Sequence, residues 1–225
     1  MKNNIQKMFD SISPWYDFLN HLLSLNIDRY WRYKAINLLS IDKNCKRILD
    51  LAMGTGDVYR ILEKKYGHSK IFGLDFSFNM LKRAKQKIEA KNIVLADIYA
   101  RPFKDESFDR IITAFGFRNF PDKPTALKTI NGLLKRNGIF CILELAPPDK
   151  NKLFRSLFNF YFKNILPFIG GIVSKNYGAY LYLPTSVYNF PKKEELKRMI
   201  YAANFKKVEY HSMTFGLCNA ILCYK

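Results

Sequence analysis

Residues 49–57 read Leu-Asp-Leu-Ala-Met-Gly-Thr-Gly-Asp, and this stretch carries the first recognisable chemistry of the chain. It is a short apolar run ending in a glycine turn. Gly54 and Gly56 let the backbone come close to a ligand, and a helix that follows presents free N–H groups. A nicotinamide fingerprint would need a third glycine where Tyr59 stands. Asp57 adds a carboxylate that would repel a pyrophosphate, so the turn suits a ligand without phosphate, or a cationic one. Asp75 ends a second apolar run, where its carboxylate can accept hydrogen bonds from both hydroxyls of a ribose. Asp97 follows the third run, where an adenine amino group can be read. Taken singly, Asp50, Asp75 and Asp97 are polar strand ends and caps; in register at successive strand ends they make a nucleoside site. Glycine turn, ribose carboxylate and adenine reader are the parts that S-adenosylmethionine needs.

The elements around these residues alternate. Residues 46–51, 71–74, 93–96, 108–115 and 138–145 read as strands, while 57–66, 77–90 and 123–134 have helical spacing. Ser77 is an N-cap candidate and Gly67 a C-cap. Strands separated by helix-length segments imply a parallel sheet covered on both faces, an open α/β architecture. A helix is expected over residues 24–39 before the first strand. The alternation breaks at 153–188, which is crowded with aromatic and aliphatic residues and interrupted by Pro167, Gly170, Gly171 and Pro184. A helix over 193–203 then leads to two strands, 208–213 and 217–224, so closely joined that they must be antiparallel neighbours. An antiparallel strand closing a parallel sheet separates the chain from a dinucleotide-binding Rossmann domain. With no linker or repeat in view, residues 1–225 read as one domain, with a helical cap at 1–40 and a helical insertion at 150–188.

Composition narrows the partners. The 225 residues are 48% hydrophobic, which excludes disorder, and 37 basic against 19 acidic residues give a net charge of +18. Such a charge draws the protein toward nucleic acid or an anionic membrane surface and does not choose between them. Cys45, Cys141, Cys218 and Cys223 show no metal-ligand spacing and read as reduced thiols, with no metal expected. No signal peptide is visible, and the longest apolar stretch, 165–173, is well short of the roughly 20 residues of a spanning helix. The expectation is a cytoplasmic protein, peripheral at most on the inner face of the membrane.

The chain resembles the ubiquinone/menaquinone biosynthesis C-methyltransferases, the UbiE/MenG family. The matches run nearly end to end: Met8-Phe9-Asp10-Ser11-Ile12, Trp31-Arg32, the glycine motif, and Gly73-Leu74-Asp75-Phe76-Ser77. They continue through Phe115-Gly116-Phe117-Arg118-Asn119, Leu166-Pro167-Phe168-Ile169-Gly170 and Tyr180-Leu181-Tyr182-Leu183. The glycine motif marks only a class I methyltransferase; the last three stretches are far more specific. The resemblance implies a Rossmann-like, mostly parallel seven-stranded sheet with the last strand antiparallel. It also implies S-adenosylmethionine contacts at Thr55, Asp75, Asp97, Ile98 and Ala114, to which Asp50, Gly54, Gly56 and Phe76 are added. Met53 stands where a small residue or Cys is usual, and Asn26 where Gly is usual, which suits a left-handed turn.

The implied reaction is methylation of a ring carbon of a polyprenyl quinol, demethylmenaquinol or its benzoquinol counterpart. Arg118, Tyr16 and Asp17 are the catalytic candidates, with His21 weighed beside them. Arg118 either orients the quinolate or a water, or pins its loop through Asp122 or a carbonyl. Tyr16 and Asp17 either assist the phenolic proton or simply pack over the pocket. The aromatic stripe of Phe154, Leu157, Phe158, Tyr161 and Phe162, bordered by Lys150, Lys152, Arg155, Lys163 and Lys175, is either core or a lipid-facing entrance. A homodimer stays open. The rival reading is an S-adenosylmethionine-dependent RNA methyltransferase, suggested by runs such as Lys82-Arg83-Lys85-Lys87. No base-flipping tetrad follows the fourth strand, so no specific nucleic acid partner is expected.

Overall fold

The computed structural model describes residues 2–89, 91–147, 152–174 and 176–225. Seven strands form one sheet in the order β3-β2-β1-β4-β5-β7-β6. They are β1 (Ile48–Leu51), β2 (Ile71–Asp75), β3 (Ile93–Leu95), β4 (Phe108–Ala114), β5 (Leu134–Leu145), β6 (Lys207–Met213) and β7 (Cys218–Tyr224). β7 slots between β5 and β6 and runs antiparallel to both, while β1 to β5 pair in parallel. This is the mixed sheet expected from the short turn between the last two runs. β1 is buried along its whole length because helices cover both faces.

Three helices precede the sheet: α1 (Lys2–Ile12), α2 (Tyr16–Leu23) and α3 (Ile27–Leu38). The helix expected from residue 24 starts at Ile27 instead. Leu25 and Asn26 both have left-handed backbones, φ 52° and 61°, which no helix can contain. Next come α4 (Asp57–Tyr66), α5 (Phe78–Ala84) and α6 (Lys123–Leu133). Ser77 caps α5 by accepting from the Met80 N–H at 3.1 Å, and Asp122 caps α6 through Thr125. α5 is shorter than the apolar spacing of 77–90 suggests: it closes at Ala84 and gives way to turns.

The irregular stretch is helical throughout its described part. α7 (Lys152–Phe160) passes through a π-helical turn (Tyr161–Ile165) into α8 (Leu166–Ser174), followed by α9 (Tyr177–Tyr188) and α10 (Lys193–Ala202). Gly170 and Gly171, which read as breaks, are contact points. A Cβ on Gly170 would overlap the Tyr180 ring, and one on Gly171 would overlap the ring of Tyr177. The two glycines therefore let α8 and α9 lie against each other. Two apolar layers flank the sheet, and a third cluster joins Ile12 and Leu19 of the first helices to Phe162, Leu166 and Tyr180 of the insertion. The insertion and the N-terminal helices thus form one unit over the carboxyl edge of the sheet.

Met53 explains a constraint in β2. A Cβ on Gly73 would overlap the Met53 sulfur. Gly73→Ala should lower stability by about 1–3 kcal/mol, the usual range for overpacking. Met53→Ala should cost less in the Gly73→Ala background than in the native chain in urea titrations, because it also relieves the overlap; an unchanged midpoint for the Gly73→Ala variant would contradict this packing.

Candidate active site

The turn after β1 is built on buried carboxylates. Asp50 accepts the Tyr59 N–H at 2.9 Å and so ties the start of α4 to β1. Burial pushes the Asp50 carboxyl well above the usual range, against the pull of that hydrogen bond. Gly54 and Gly56 take φ 56° and 86°, conformations that cost glycine nothing. Asp75 then reaches across from β2. Its Oδ2 accepts the Gly54 N–H at 2.8 Å and its Oδ1 the Ser77 N–H at 2.8 Å. Burial raises the Asp75 carboxyl to about 6, against the Ser77, Gly54 and Phe76 N–H groups that favour its charged form, and nearby Asp10 adds to the rise.

Above this turn lies a cleft of about 810 Å³, counting its open mouth. Of the residues expected at a nucleoside site, Gly54, Asp75, Phe76, Asp97, Ile98 and Ala114 line it, together with Tyr16. A second pocket adjoins it, sharing Tyr16, Ala52, Gly54 and Ala114 and adding Asp50, Thr55, Asp57 and Arg32. Gly56 lines neither; it turns the chain into α4. Asp97 also accepts the Tyr99 N–H at 3.0 Å, holding the adenine-side loop. Among the described residues no Lys, Arg or His lines the larger cleft, so a pyrophosphate would find no counter-charge there. A neutral nucleoside fits: the Asp75 and Asp97 carboxylates face the cleft as hydrogen-bond acceptors, with Leu74, Met80, Ile98 and Phe120 as apolar walls. Asp75, Phe76, Asp97 and Ile98 would hold the adenosine of S-adenosylmethionine, and Arg32 is the cation available to its carboxylate end.

The N-terminal helices close over this cleft. Gln6 donates to the Phe76 carbonyl at 2.9 Å, and Asp10 accepts from the Ser77 hydroxyl at 2.5 Å and the Asn79 N–H at 3.3 Å. Asp17 accepts from the Thr55 hydroxyl and pairs with Lys87, which also lies 3.6 Å from Asp57. Asp17 is thus a latch between α2 and the glycine turn and lines neither pocket. His21 lies between Asp28 and Asp57, which also flank Arg32.

Tyr16 stands where the two pockets meet. Burial raises its phenol, and the positive fields of Arg118 and Arg32 work against that rise. At neutral pH it is an O–H donor. Arg118 lines neither pocket. Its guanidinium is buried against Glu144 at 3.0 Å, donates to the Phe115 carbonyl, and reaches Ser186 at 3.3 Å. Glu144 also accepts the Arg118 backbone N–H at 2.9 Å. The loop is pinned through Glu144 and a carbonyl, not through Asp122, which caps α6. Phe115, Asn119 and Phe120 line the cleft and were not singled out in the sequence as ligand-facing; Arg32 sits 5.0 Å from the Phe115 ring centre. Only Phe115-Gly116-Phe117-Arg118-Asn119 as a motif pointed at them.

A family model described as the ubiE/COQ5 methyltransferase family matches residues 1–225. A demethylmenaquinone methyltransferase of Thermus thermophilus is 44% identical over 214 residues, covering 93% of this chain and 96% of its own. The ubiquinone/menaquinone biosynthesis C-methyltransferase UbiE of Geotalea daltonii is 43% identical over 220 residues, covering 95% and 92%. Among solved structures, a SAM-dependent methyltransferase of Archaeoglobus fulgidus superposes with a TM-score of 0.64 at 17% identity, over 93% of this chain and all of that one. A putative methyltransferase of Haloferax volcanii, in complex with the Trm112 methyltransferase activator, gives 0.67 at 16% identity over 96% of each chain. These structural likenesses establish a class I methyltransferase fold.

Protonation of Asp75 removes an acceptor for ribose hydroxyls. Affinity for S-adenosylhomocysteine should therefore be flat above about pH 7 and fall as pH drops through 6. The loss should approach about tenfold for each further pH unit. Asp75→Asn should bind more weakly and lose this pH step in calorimetry; affinity that ignores pH in the native chain would put the ribose elsewhere.

Proposed function

The chain belongs to the ubiE/COQ5 methyltransferase family, and from that premise we propose that it methylates a ring carbon of a polyprenyl quinol of the demethylmenaquinol type. It is an S-adenosylmethionine-dependent methyltransferase. Relatives named demethylmenaquinone methyltransferase or UbiE favour the quinol, and no similar protein reported above is named for RNA. The observation that carries the proposal is Tyr16. A half-buried tyrosine stands at the joint of the two pockets, under the fields of Arg118 and Arg32 and beside the aromatic wall of Phe9 and Phe115.

S-adenosylmethionine, when bound, supplies a methyl group on a positively charged sulfur. The chain's own residues must then orient the ring, exclude water and favour the electron-rich form of the quinol. A ring carbon becomes nucleophilic when the neighbouring hydroxyl loses its proton to water at the open mouth of the cleft. Tyr16 donates a hydrogen bond to that oxygen as charge builds on it, and the two guanidiniums lower the energy of the anion. Once the methyl group has left the sulfonium for the ring carbon, the proton on that carbon leaves the same way and restores the aromatic ring. Arg118 stays protonated and acts as a fixed charge, held in place by Glu144. Ile5, Phe9 and Phe120 shield the ring from solvent. Asp17 holds α2, and with it Tyr16, against the glycine turn.

The substrate's prenyl tail calls for an apolar surround, which we place at an anionic membrane surface. No helix among the described residues is long and apolar enough to cross a membrane.

With labelled S-adenosylmethionine, the protein should methylate a chemically reduced short-chain demethylmenaquinol and leave the oxidised quinone and tRNA untouched. Equal labelling of quinone and quinol would contradict the role of the ionised ring. Tyr16→Phe should cut turnover by about 10²-fold, the usual cost of one donor at a developing oxyanion, with S-adenosylhomocysteine affinity almost unchanged. Loss of cofactor binding instead would make Tyr16 part of the nucleoside site.

A further inference from the structure

α2 has two apolar faces. Leu19 is buried, and Tyr16 and Leu23 turn with it into the cluster shared with Phe162, Leu166 and Tyr180. Away from that cluster α2 carries Phe18 and Leu22, 56% and 44% exposed, with Trp15 just before the helix and Leu25 in the turn after it 47% and 78% exposed. Ile27, Tyr30 and Tyr33 of α3 continue that exposed surface. α8 lies against α2 and adds exposed Phe168 and Ile172. Soluble surfaces rarely leave so continuous an apolar area open.

The charges of residues 15–34 are sorted. Their two carboxylates point inward, Asp17 to Thr55 and Lys87, and Asp28 to Arg32 and Ser24. Apart from Asn26, every exposed residue in this stretch is apolar, aromatic or cationic. The exposed cations are Arg29 and Lys34, the latter 5.6 Å from the Tyr30 ring centre; Lys65 stands 5.5 Å from Tyr33. An apolar ridge with Trp and Tyr beside it and cations at its border is the pattern of an interfacial helix.

Leu25 sharpens the argument. It holds a left-handed backbone, φ 52°, at the tip of the α2–α3 turn, with most of its side chain in water. That conformation is costly for a branched residue, and water gives no return for it. The Trp31 Nε1–H donates to Thr214 at 2.8 Å and draws the β6–β7 turn alongside α3; Phe215 in that turn, φ 56°, is exposed as well. Two turns thus present apolar tips from strained backbone.

We propose that this α2–α3 face, with α8 beside it, is where the protein rests on an anionic lipid bilayer; the inference deepens the polyprenyl quinol reading and rests on it. A second copy of the chain fits less well, because a two-fold contact would set Arg29 and Lys34 against their own kind. Anionic headgroups complement them and the net charge of +18. The face shares only Phe168 and Ile172 with the one expected in the sequence, residues 154–172 with a rim of Lys150, Lys152, Arg155, Lys163 and Lys175. Lys150 and Lys175 lie outside the described residues, as do the side chains of Lys152, Phe154 and Leu157. Of that stripe, Phe162 is core and Phe158 and Tyr161 pack against it. α2 touches lipid on one side and presents Tyr16 to the cleft on the other, a short route for a ring whose tail stays in the bilayer.

The test uses the full chain with vesicles of phosphatidylcholine alone or mixed with phosphatidylglycerol. Trp15 and Trp31 are the two tryptophans, and Trp31 is buried, so quenching by brominated lipid reports Trp15. The native protein should bind the anionic vesicles, release in high salt, and be quenched; Trp15→Phe should lose the quenching. Phe18→Ser/Leu22→Ser should bind at least about tenfold more weakly, with its melting temperature and its turnover of a short-tailed, water-soluble quinol unchanged. Vesicle binding that ignores this double substitution overturns the proposal, as does a dimer that the substitution dissociates with no vesicle binding by the native chain. Stripe-dependent vesicle binding without any transfer to quinol would instead overturn the substrate reading and leave the lipid face standing.

Discussion

The Asp75 carboxylate is the joint on which the site depends. One oxygen holds the glycine turn after β1, the other holds the start of α5, and Ser77 passes the connection on to Asp10 of α1. A single chain of hydrogen bonds therefore runs from the sheet to the helix that covers it. Removing a charge from water here is expensive, and the raised carboxyl records that cost. Two hydroxyl donors from a ribose would offset it.

The covering helices give the fold its particular use. A class I sheet provides a nucleoside site, and many unrelated reactions share it. Here the third apolar cluster fastens the 152–188 insertion to α1 and α2, and the polar latches of Gln6, Asp10 and Asp17 fasten α1 and α2 to the glycine turn and α5. Tyr16 is fixed by both sets of contacts. Catalytic geometry then follows from ordinary packing, with Arg118 held as a charge by Glu144. The same constraint leaves the outer stripe of α2 with no partner among the described residues of its own chain.

The alternation of strands and helices along the chain and the antiparallel β7 were legible because short apolar runs, helix-length spacers and one very short turn leave few alternatives. Asp50, Asp75 and Asp97 stood out in the sequence for a related reason: they fall at or near the carboxyl ends of strands, and those ends share one edge. What sequence spacing could not carry was anything set by contact between distant segments. Gly170 and Gly171 read as helix breaks because their partners, Tyr180 and Tyr177, lie on the next helix. The Arg118 partner is Glu144, 26 positions away on another strand, while the nearer Asp122 serves α6. The inward turn of Asp17 and Asp28, which leaves a carboxylate-free face, depends on Lys87, Thr55 and Arg32 together.

The central claim is that Asp75 takes the ribose while Tyr16 stands over the reacting ring. A crystal structure of the chain with S-adenosylhomocysteine and a short-tailed quinol tests it most directly. The account predicts both ribose hydroxyls on Asp75, the adenine near Asp97 and Ile98, and a quinol oxygen within hydrogen-bond reach of the Tyr16 hydroxyl. A ribose held away from Asp75, or a ring bound on the far side of Phe115 with Tyr16 unengaged, would contradict it.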